Sequence, residues 1–382
     1  MTESHWRVTE YRGREGFMSL EADWRRLYAE MPNPSLWHSF EAYRVYLEHL
    51  CPSPDTFHWL ALGDGVQVQA ILPLEERLDY ALGIPLRMWA TPSRDSWRIA
   101  DAIGPSGEAR RVLLPSVLEH LRRDPARPAI LMLGRLPKSS GLWDALAHLR
   151  PSELLAFPDG AAYIICTNSC EEIAGRLSRS SLKKLNAAQK HFEALPGARY
   201  VTCREPAELA EEFEHFLDVE ASGWKGEQGT AVKLHPELEG FYRGLTQTIV
   251  QDGWCEIHSL HAEGRCIASE FCVYTGRQCD APKAGYDEAY SRVMPGKLVL
   301  NLGLKGCCEN PRIEFANQMS DAEWLELWHP ESDPLRTDYV ALRPFSGRVL
   351  VAALRLRFGP VRRIVRKFRA WRHERAGRTN GA

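Results

Sequence analysis

The chain of 382 residues is 44% apolar and 26% charged, with 12 Trp, 12 Tyr and 13 Phe, a composition that supports about two domains with ordinary cores. It excludes a wholly disordered, collagenous or coiled-coil chain, and no apolar run approaches the roughly 18 residues that cross a bilayer. The net charge of −2 is unevenly spread: from Arg343 onward eleven Arg and one Lys face the single acid Glu374, a local charge of +11 that leaves −13 on the remainder.

In chain order, Phe17, Leu20, Trp24, Leu27 and Tyr28 repeat at helical spacing up to the Pro32-Asn33-Pro34 breaker. Ser39 is placed to cap a second helix running to Tyr46. Trp59 to Leu62, the Gly63-Asp64-Gly65 turn and Val66 to Leu72 read as a hairpin, because Asp-Gly supplies the positive φ of a tight turn. A helix over Leu113 to Leu121 and a buried strand over Ala129 to Leu133 complete a mixed first half.

Ala161 to Ile165 reads as a strand. Leu209, Phe213, Phe216 and Leu217 mark one amphipathic helix; Leu238, Phe241, Tyr242, Leu245 and Ile249 mark another, and a Gly-rich loop joins them. Trp254 to His261, Cys266 to Tyr274 and Cys279 to Tyr286, separated by turns at Glu263-Gly264 and Thr275-Gly276, form an antiparallel meander. Pro295-Gly296-Lys297 then opens the apolar helix Leu298 to Cys307, which leads to a short strand over Ile313 to Phe315.

Near the end, Val361, Ile364, Val365, Phe368 and Trp371 recur at helical spacing among arginines. Residues 347–375 are expected to form a basic amphipathic helix on an anionic partner, either membrane phospholipid or an acidic acyl carrier protein. Docking on the chain's own acidic body is the alternative.

Ten cysteines without a framework spacing read as reduced thiols of a cytoplasmic protein. The start, Met1 to Arg7, has no apolar stretch behind it, so no signal peptide is expected. With no Cys-x-x-Cys or His-Glu-x-x-His, no metal is expected. Neither a Gly-x-Ser-x-Gly elbow nor a Gly-x-Gly-x-x-Gly loop occurs.

Three segments carry a family resemblance: Leu177-Ser178 with its following basic helix, Gly223-Trp224-Lys225-Gly226 through Gly229-Thr230-Ala231, and Lys283-Ala284-Gly285-Tyr286-Asp287-Glu288-Ala289-Tyr290 running to Pro295-Gly296. In order and spacing the sequence resembles the GNAT acyltransferase superfamily, in its BioF-like or CelD-like branch, which shares a tandem design with the Fem peptidyltransferases. The match covers 170–316, and more weakly 17–150. It implies an α/β (α+β) fold of two tandem GNAT-like halves with mixed, largely antiparallel sheets flanked by helices. The expected division is 1–160, then 161–335 with the active cleft, then a basic tail over 336–382. The branch's Tyr-Lys-x-x-Trp element is absent: Trp324-Leu325-Glu326-Leu327-Trp328 has no lysine.

Acyl transfer from a thioester to an amine needs N–H donors for the donor's phosphates, a base for the amine and an acid for the thiolate. Met294, Pro295, Gly296, Lys297 and Leu298 stand where a strand opens onto a helix, the place where unpaired N–H groups favour an anion. Leu298 occupies the Ser/Thr position of a nucleotide P-loop, so that motif is excluded. Asp287, Glu288 and Tyr286 adjoin this junction and are the candidates for proton transfer, with Glu314 in reserve. A Lys283–Asp287 ion pair and simple packing of Tyr286 are the alternatives.

Trp224, Lys225 and Gly226 suit a substrate-covering loop, with Lys283 beside them, although an aromatic there also suits anchoring to the core. Arg176, Arg179, Lys183, Lys184 and Lys190 either border an anionic donor or form a solvated face.

The resemblance implies an N-acyltransferase that uses acyl-CoA or an acyl carrier protein, acts on a small-molecule amine in polysaccharide or envelope metabolism, needs no metal and binds no DNA. A location in the cytoplasm, or peripheral at the membrane's inner face, is expected. The alternatives are an aminoacyl-tRNA-dependent Fem-like transferase and a catalytically degenerate GNAT scaffold.

Overall fold

The computed structural model describes residues 6–81, 84–93, 101–105, 107–249 and 254–356. The first half runs β1 (Arg7–Arg12), α1 (Gly13–Ser19), α2 (Glu21–Ala29), α3 (Phe40–His49), β2 (Phe57–Gly63), β3 (Val68–Ala81) and β4 (Ile84–Ala90). It continues through α4 (Glu108–Arg122), β5 (Ile130–Pro137), α5 (Gly141–Ala147) and β6 (Leu154–Cys166). The second half adds α6 (Cys170–Arg176) and α7 (Arg179–Glu193), then repeats the order: β7 (Arg199–Cys203), α8 (Pro206–Ser222), α9 (Trp224–Glu227), α10 (Pro236–Ile249), β8 (Cys255–Ala262), β9 (Arg265–Thr275) and β10 (Gln278–Tyr286). It closes with α11 (Pro295–Glu309), β11 (Phe315–Asn317), β12 (Glu331–Ala341) and α12 (Ser346–Leu356).

Local chemistry sets these boundaries. Ser39 Oγ accepts from Ala42 N–H at 3.1 Å and starts α3. Asp64 Oδ1 accepts from the N–H groups of Val66 and Gln67, and Gly65 takes φ +92°, which turns β2 into β3. At the β8–β9 turn Glu263 and Gly264 both have positive φ, the signature of a tight hairpin. The helical stripe of the first segment is divided at Leu20 between α1 and α2.

Among the described residues, twelve strands hydrogen-bond into one sheet of order β1-β2-β3-β4-β5-β12-β6-β11-β10-β9-β8-β7. In each half a helical crossover joins a parallel pair, β4 to β5 through α4 and β10 to β11 through α11. The final strands are exchanged: β6 leaves the first half to pair with β11, and β12 leaves the second half to pair with β5. Since β6 and β12 also pair with each other, the two halves share a sheet rather than holding one each.

The expected tail beginning at 336 therefore starts inside the fold. Arg336–Ala341 completes β12, and α12 buries Val351 and Leu354 against Leu86, Met88, Ile130 and Tyr339. Arg348 pairs with Glu153 at 2.6 Å, while Arg355 donates to the carbonyls of Pro151 and Leu154. This first part of the proposed 347–375 helix docks on the chain's own body; Val361 to Trp371 lie outside the described residues.

The largest core cluster lies on one face of the sheet, where α1–α3 meet α8 and α10 across the two halves and Trp24, Trp37 and Trp59 are buried. On the other face of the second half, α11 covers β8–β10 with Leu298, Val299, Leu300, Leu304 and Cys307. Among the described residues no helix is long and apolar enough to cross a membrane.

Candidate functional site

Strand β10 builds the cleft. It pairs in parallel with β11 only from Gln278↔Phe315 to Asp280↔Asn317, while its antiparallel pairing with β9 continues past a bulge between Asp280 and Lys283 out to Tyr286↔Ala268. Asp287 N–H donates to Ile267 O at 2.9 Å. In an antiparallel ladder hydrogen-bonded pairs alternate, so Gly285 and Lys283 face β9 with their amides while those of Ala284 and Tyr286 point away from it. Those outward groups look into the space where β10 and β11 part, a wedge with Asp280 and Asn317 at its vertex.

The wide end of the wedge meets the start of α11. Met294 holds φ +50° and ψ +51° as the cap, and Pro295 takes the first helical position. Lys297 and Leu298 N–H both donate to Met294 O, and Met294 N–H donates to Ser291 O. Pro295 has no N–H, so of the five junction residues Gly296 alone has an N–H without a backbone partner. A Cβ on Gly296 would lie 2.9 Å from Cδ1 of Tyr286. The glycine thus seats the Tyr286 ring against α11, a steric role that sequence reasoning had given to a ligand.

The candidates around the junction separate. Asp287 Oδ1 accepts from Ala289 N–H at 2.9 Å, capping the 3-10 turn Glu288–Val293, and its other oxygen lies 3.6 Å from Arg265. Arg265, rather than Lys283, is its ionic partner. Glu288 is exposed. Glu314 pairs with Arg277 beside the Gln278 end of β10, the opposite end from Tyr286, so it does not join the other candidates.

The 223–231 loop is held inward. Lys225 Nζ donates to Ala284 O at 2.6 Å, one of the outward carbonyls of the wedge, and to Glu220 Oε1 at 3.2 Å. Glu220 is wholly buried; its Oε2 accepts from Val232 N–H at 2.7 Å, and Lys283 Nζ lies 4.0 Å from Oε1. Lys283 also sits 5.9 Å from the centre of the Tyr242 ring. Trp224 and Gly226 lie within the short helix α9. The loop is stapled to β10 by a buried ionic cluster, and Gly223 packs so closely that a Cβ would lie 2.8 Å from Tyr286 O.

At the vertex stands an acid that the sequence reading passed over. Asp280 Oδ1 accepts from Gln278 Nε2 at 2.7 Å and from Asn317 Nδ2 at 3.0 Å, and the Leu36 backbone N–H also hydrogen-bonds the buried carboxyl. Burial pushes its carboxyl up to about 7 against the pull of those hydrogen bonds. The available signal was an acid inside an apolar strand, Cys279-Asp280-Ala281.

Beside the junction, α7 packs against the Glu288–Val293 turn and α11 through Leu185 and Phe192. Arg179, Leu182, Lys183, Asn186, Ala187 and Lys190 line a groove of about 430 Å³ along it. Arg179, Lys183 and Lys190 recur at helical spacing on the exposed face of α7, whereas the face that packs toward α11 is the apolar one of Leu185, Ala188 and Phe192. In the first half the corresponding connection is longer and is pinned by Asp101, which pairs with Arg110 at 2.7 Å and accepts from Ser140 at 2.6 Å.

Residues 179–324 match the family model described as Acetyltransferase (GNAT) domain. Among curated proteins none matches the sequence. Solved structures share the fold at low identity. FemX aligns at a TM-score of 0.54 and 11% identity over 85% of this chain and 96% of its own. The C-terminal domain of a putative lysylphosphatidylglycerol synthetase from Agrobacterium fabrum aligns at 0.54 and 13% over 89% and 96%. A conserved protein of unknown function from Bacteroides thetaiotaomicron VPI-5482 aligns at 0.54 and 12% over 84% and 97%. Over 179–324 the chain thus matches the GNAT acetyltransferase domain family, and as a whole it shares the fold of FemX and of the lysylphosphatidylglycerol synthetase domain.

Proposed function

We propose that the protein transfers an acyl group from a thioester on CoA or on an acyl carrier protein to a small-molecule amine, with the wedge between β10 and β11 as the donor cleft. The wedge itself carries this reading: where β10 parts from β11, a strand edge whose Ala284 carbonyl is taken by Lys225 runs from the helix N-terminal N–H of Gly296 to a buried acid at Asp280. The donor's phosphate sits at Gly296 N–H, where the helix dipole favours an anion. Six residues of extended strand separate Tyr286 from Asp280, about 20 Å at the rise of a strand, a span suited to an extended phosphopantetheine arm.

The reacting carbonyl then lies near the vertex. Asp280, poised near neutral pH, takes the proton from the attacking amine. Asp287 and Glu288 adjoin the phosphate end, an arm's length from the bond that breaks, and Tyr286 shapes that end with its ring. Lys225 and Lys283, held on Glu220, form the wall of the cleft on the α8 side. The sequence resemblance favours an amine on a polysaccharide or envelope precursor, formed in the cytoplasm or at the inner face of the membrane.

Thiol release from acyl-CoA and acyl carrier protein, measured against a panel of amines, tests the proposal. Amine-dependent thiol release supports it. Failure with every thioester, together with ribonuclease-sensitive transfer from aminoacyl-tRNA, would move the donor to the tRNA class; no transfer and no CoA binding would leave a degenerate scaffold.

A further inference from the structure

On the α8 face of the second half, away from the wedge, four metal-binding side chains converge. Glu212 and His215 lie one helical turn apart on α8, and His261 and Cys266 stand on either side of the β8–β9 turn that α8 covers. Ligand atoms of Glu212, His261 and Cys266 all lie within 4.8 Å of one another. Glu212 Oε1 is 2.8 Å from His261 Nε2, and its Oε2 is 3.3 Å from His215 Nδ1. The two imidazole rings sit 5.2 Å apart.

We infer that Glu212, His215, His261 and Cys266 form a zinc site that clamps helix α8 to the β8–β9 hairpin.

The donor set is one thiolate, two imidazoles and one carboxylate, all within the range zinc accepts in four-coordinate sites. With two anionic ligands it neutralises a divalent ion, as a half-buried site requires. Zinc bonds of about 2.0–2.3 Å in a tetrahedron place ligand atoms roughly 3.4–3.6 Å apart. The Glu212–His261 pair at 2.8 Å must open by well under an ångström, and the pairs that Cys266 makes with these two, within 4.8 Å, close by little more than one; His215, 3.3 Å from Glu212, reaches the ion by side-chain rotation.

The framework is a long helix packed over a hairpin. Arg199 Nη2 lies 3.4 Å from His261 Nδ1; Arg199 is exposed and turns to solvent when His261 carries its proton on Nδ1 and binds metal through Nε2. Hydrogen bonding accounts for Glu212 between His215 and His261, while the Cys266 thiol, which donates to Ala268 O at 3.3 Å, stands within ligand range of Glu212 and His261. The ligands escape motif reading because helix and hairpin meet only in three dimensions, 45 residues apart between His215 and His261 in sequence.

The clamp sits close to the cleft. Ile267, next to Cys266, accepts the Asp287 N–H, and Ala268 pairs with Tyr286, so the metal braces the end of the sheet that carries the donor junction.

The test uses the untagged full-length chain, loaded with Zn²⁺, dialysed against metal-free buffer and analysed by inductively coupled plasma mass spectrometry. About one equivalent of zinc is expected, falling to under one-tenth in Cys266→Ser and His261→Gln. In the wild type, Co²⁺ loading is expected to produce a thiolate-to-cobalt charge-transfer band, a readout that needs no variant to fold. No retained zinc together with no charge-transfer band overturns the inference, as does equal zinc content in well-folded Cys266→Ser.

Discussion

Replacing Gly296 with Val separates the two duties the structure gives this position. The new Cβ would lie 2.9 Å from Tyr286 Cδ1 and 3.2 Å from Cε1, almost an ångström inside ordinary contact, so the ring must move. Tyr286 ends its strand and is 37% exposed, which lets it swing outward at the usual overpacking cost of about 1–3 kcal/mol. Part of that is offset by removing glycine from a helix, about 0.5–1 kcal/mol at most, because Gly296 has no positive φ to lose.

Donor binding responds differently. A hydrogen bond to a charged group contributes about 1.5–3 kcal/mol, so shielding the Gly296 N–H with the Val methyls should raise the Kd for CoA about 10- to 150-fold. Combining Gly296→Val with Tyr286→Ala removes the steric conflict and leaves the shielding in place. Isothermal titration calorimetry with CoA and thermal denaturation of the four proteins should show stability recovered in the double variant and affinity still lost. Unchanged CoA affinity in Gly296→Val, or affinity recovered in the double variant, would refute the assignment of the donor phosphate to this N–H.

Glu220→Ala leaves Lys225 and Lys283 buried without their shared carboxylate and should destabilise the fold by about 3–5 kcal/mol, measured by urea denaturation. Asp280 links pH to both stability and rate. Its folded-state carboxyl sits at about 7 against an ordinary 3.8, so the folded chain holds this proton more tightly than the unfolded one. Its contribution to stability is complete below about pH 4, declines as pH rises to about 7 and is level above that, a trend shared by Glu270, which burial also pushes up to about 7. Asp280→Asn should therefore melt higher than wild type at pH 8 while losing about 10²–10⁴-fold in turnover; a stable variant with full activity would remove Asp280 from the chemistry.

Much of the second half was legible because its signals are local. The 2-residue alternation and the turns at Glu263-Gly264 and Thr275-Gly276 mark β8–β10, and Pro295-Gly296 marks the start of α11, since backbone φ and helix capping depend on near neighbours alone. The tandem order of elements, and the junction as the meeting point of strand and helix, follow from the same signals. What needed the tertiary structure was every property set by partners distant in sequence. The exchange of β6 and β12 depends on which edges meet, and it turned the expected start of a tail at 336 into the middle of a shared sheet. Lys225, expected in a substrate-covering loop, is held by Glu220 and the Ala284 carbonyl, partners that only the folded chain brings to it. Asp280 looked like one acid in a strand, yet its burial and its place opposite Asn317 depend on where β11 stops pairing, a long-range register that no local pattern encodes.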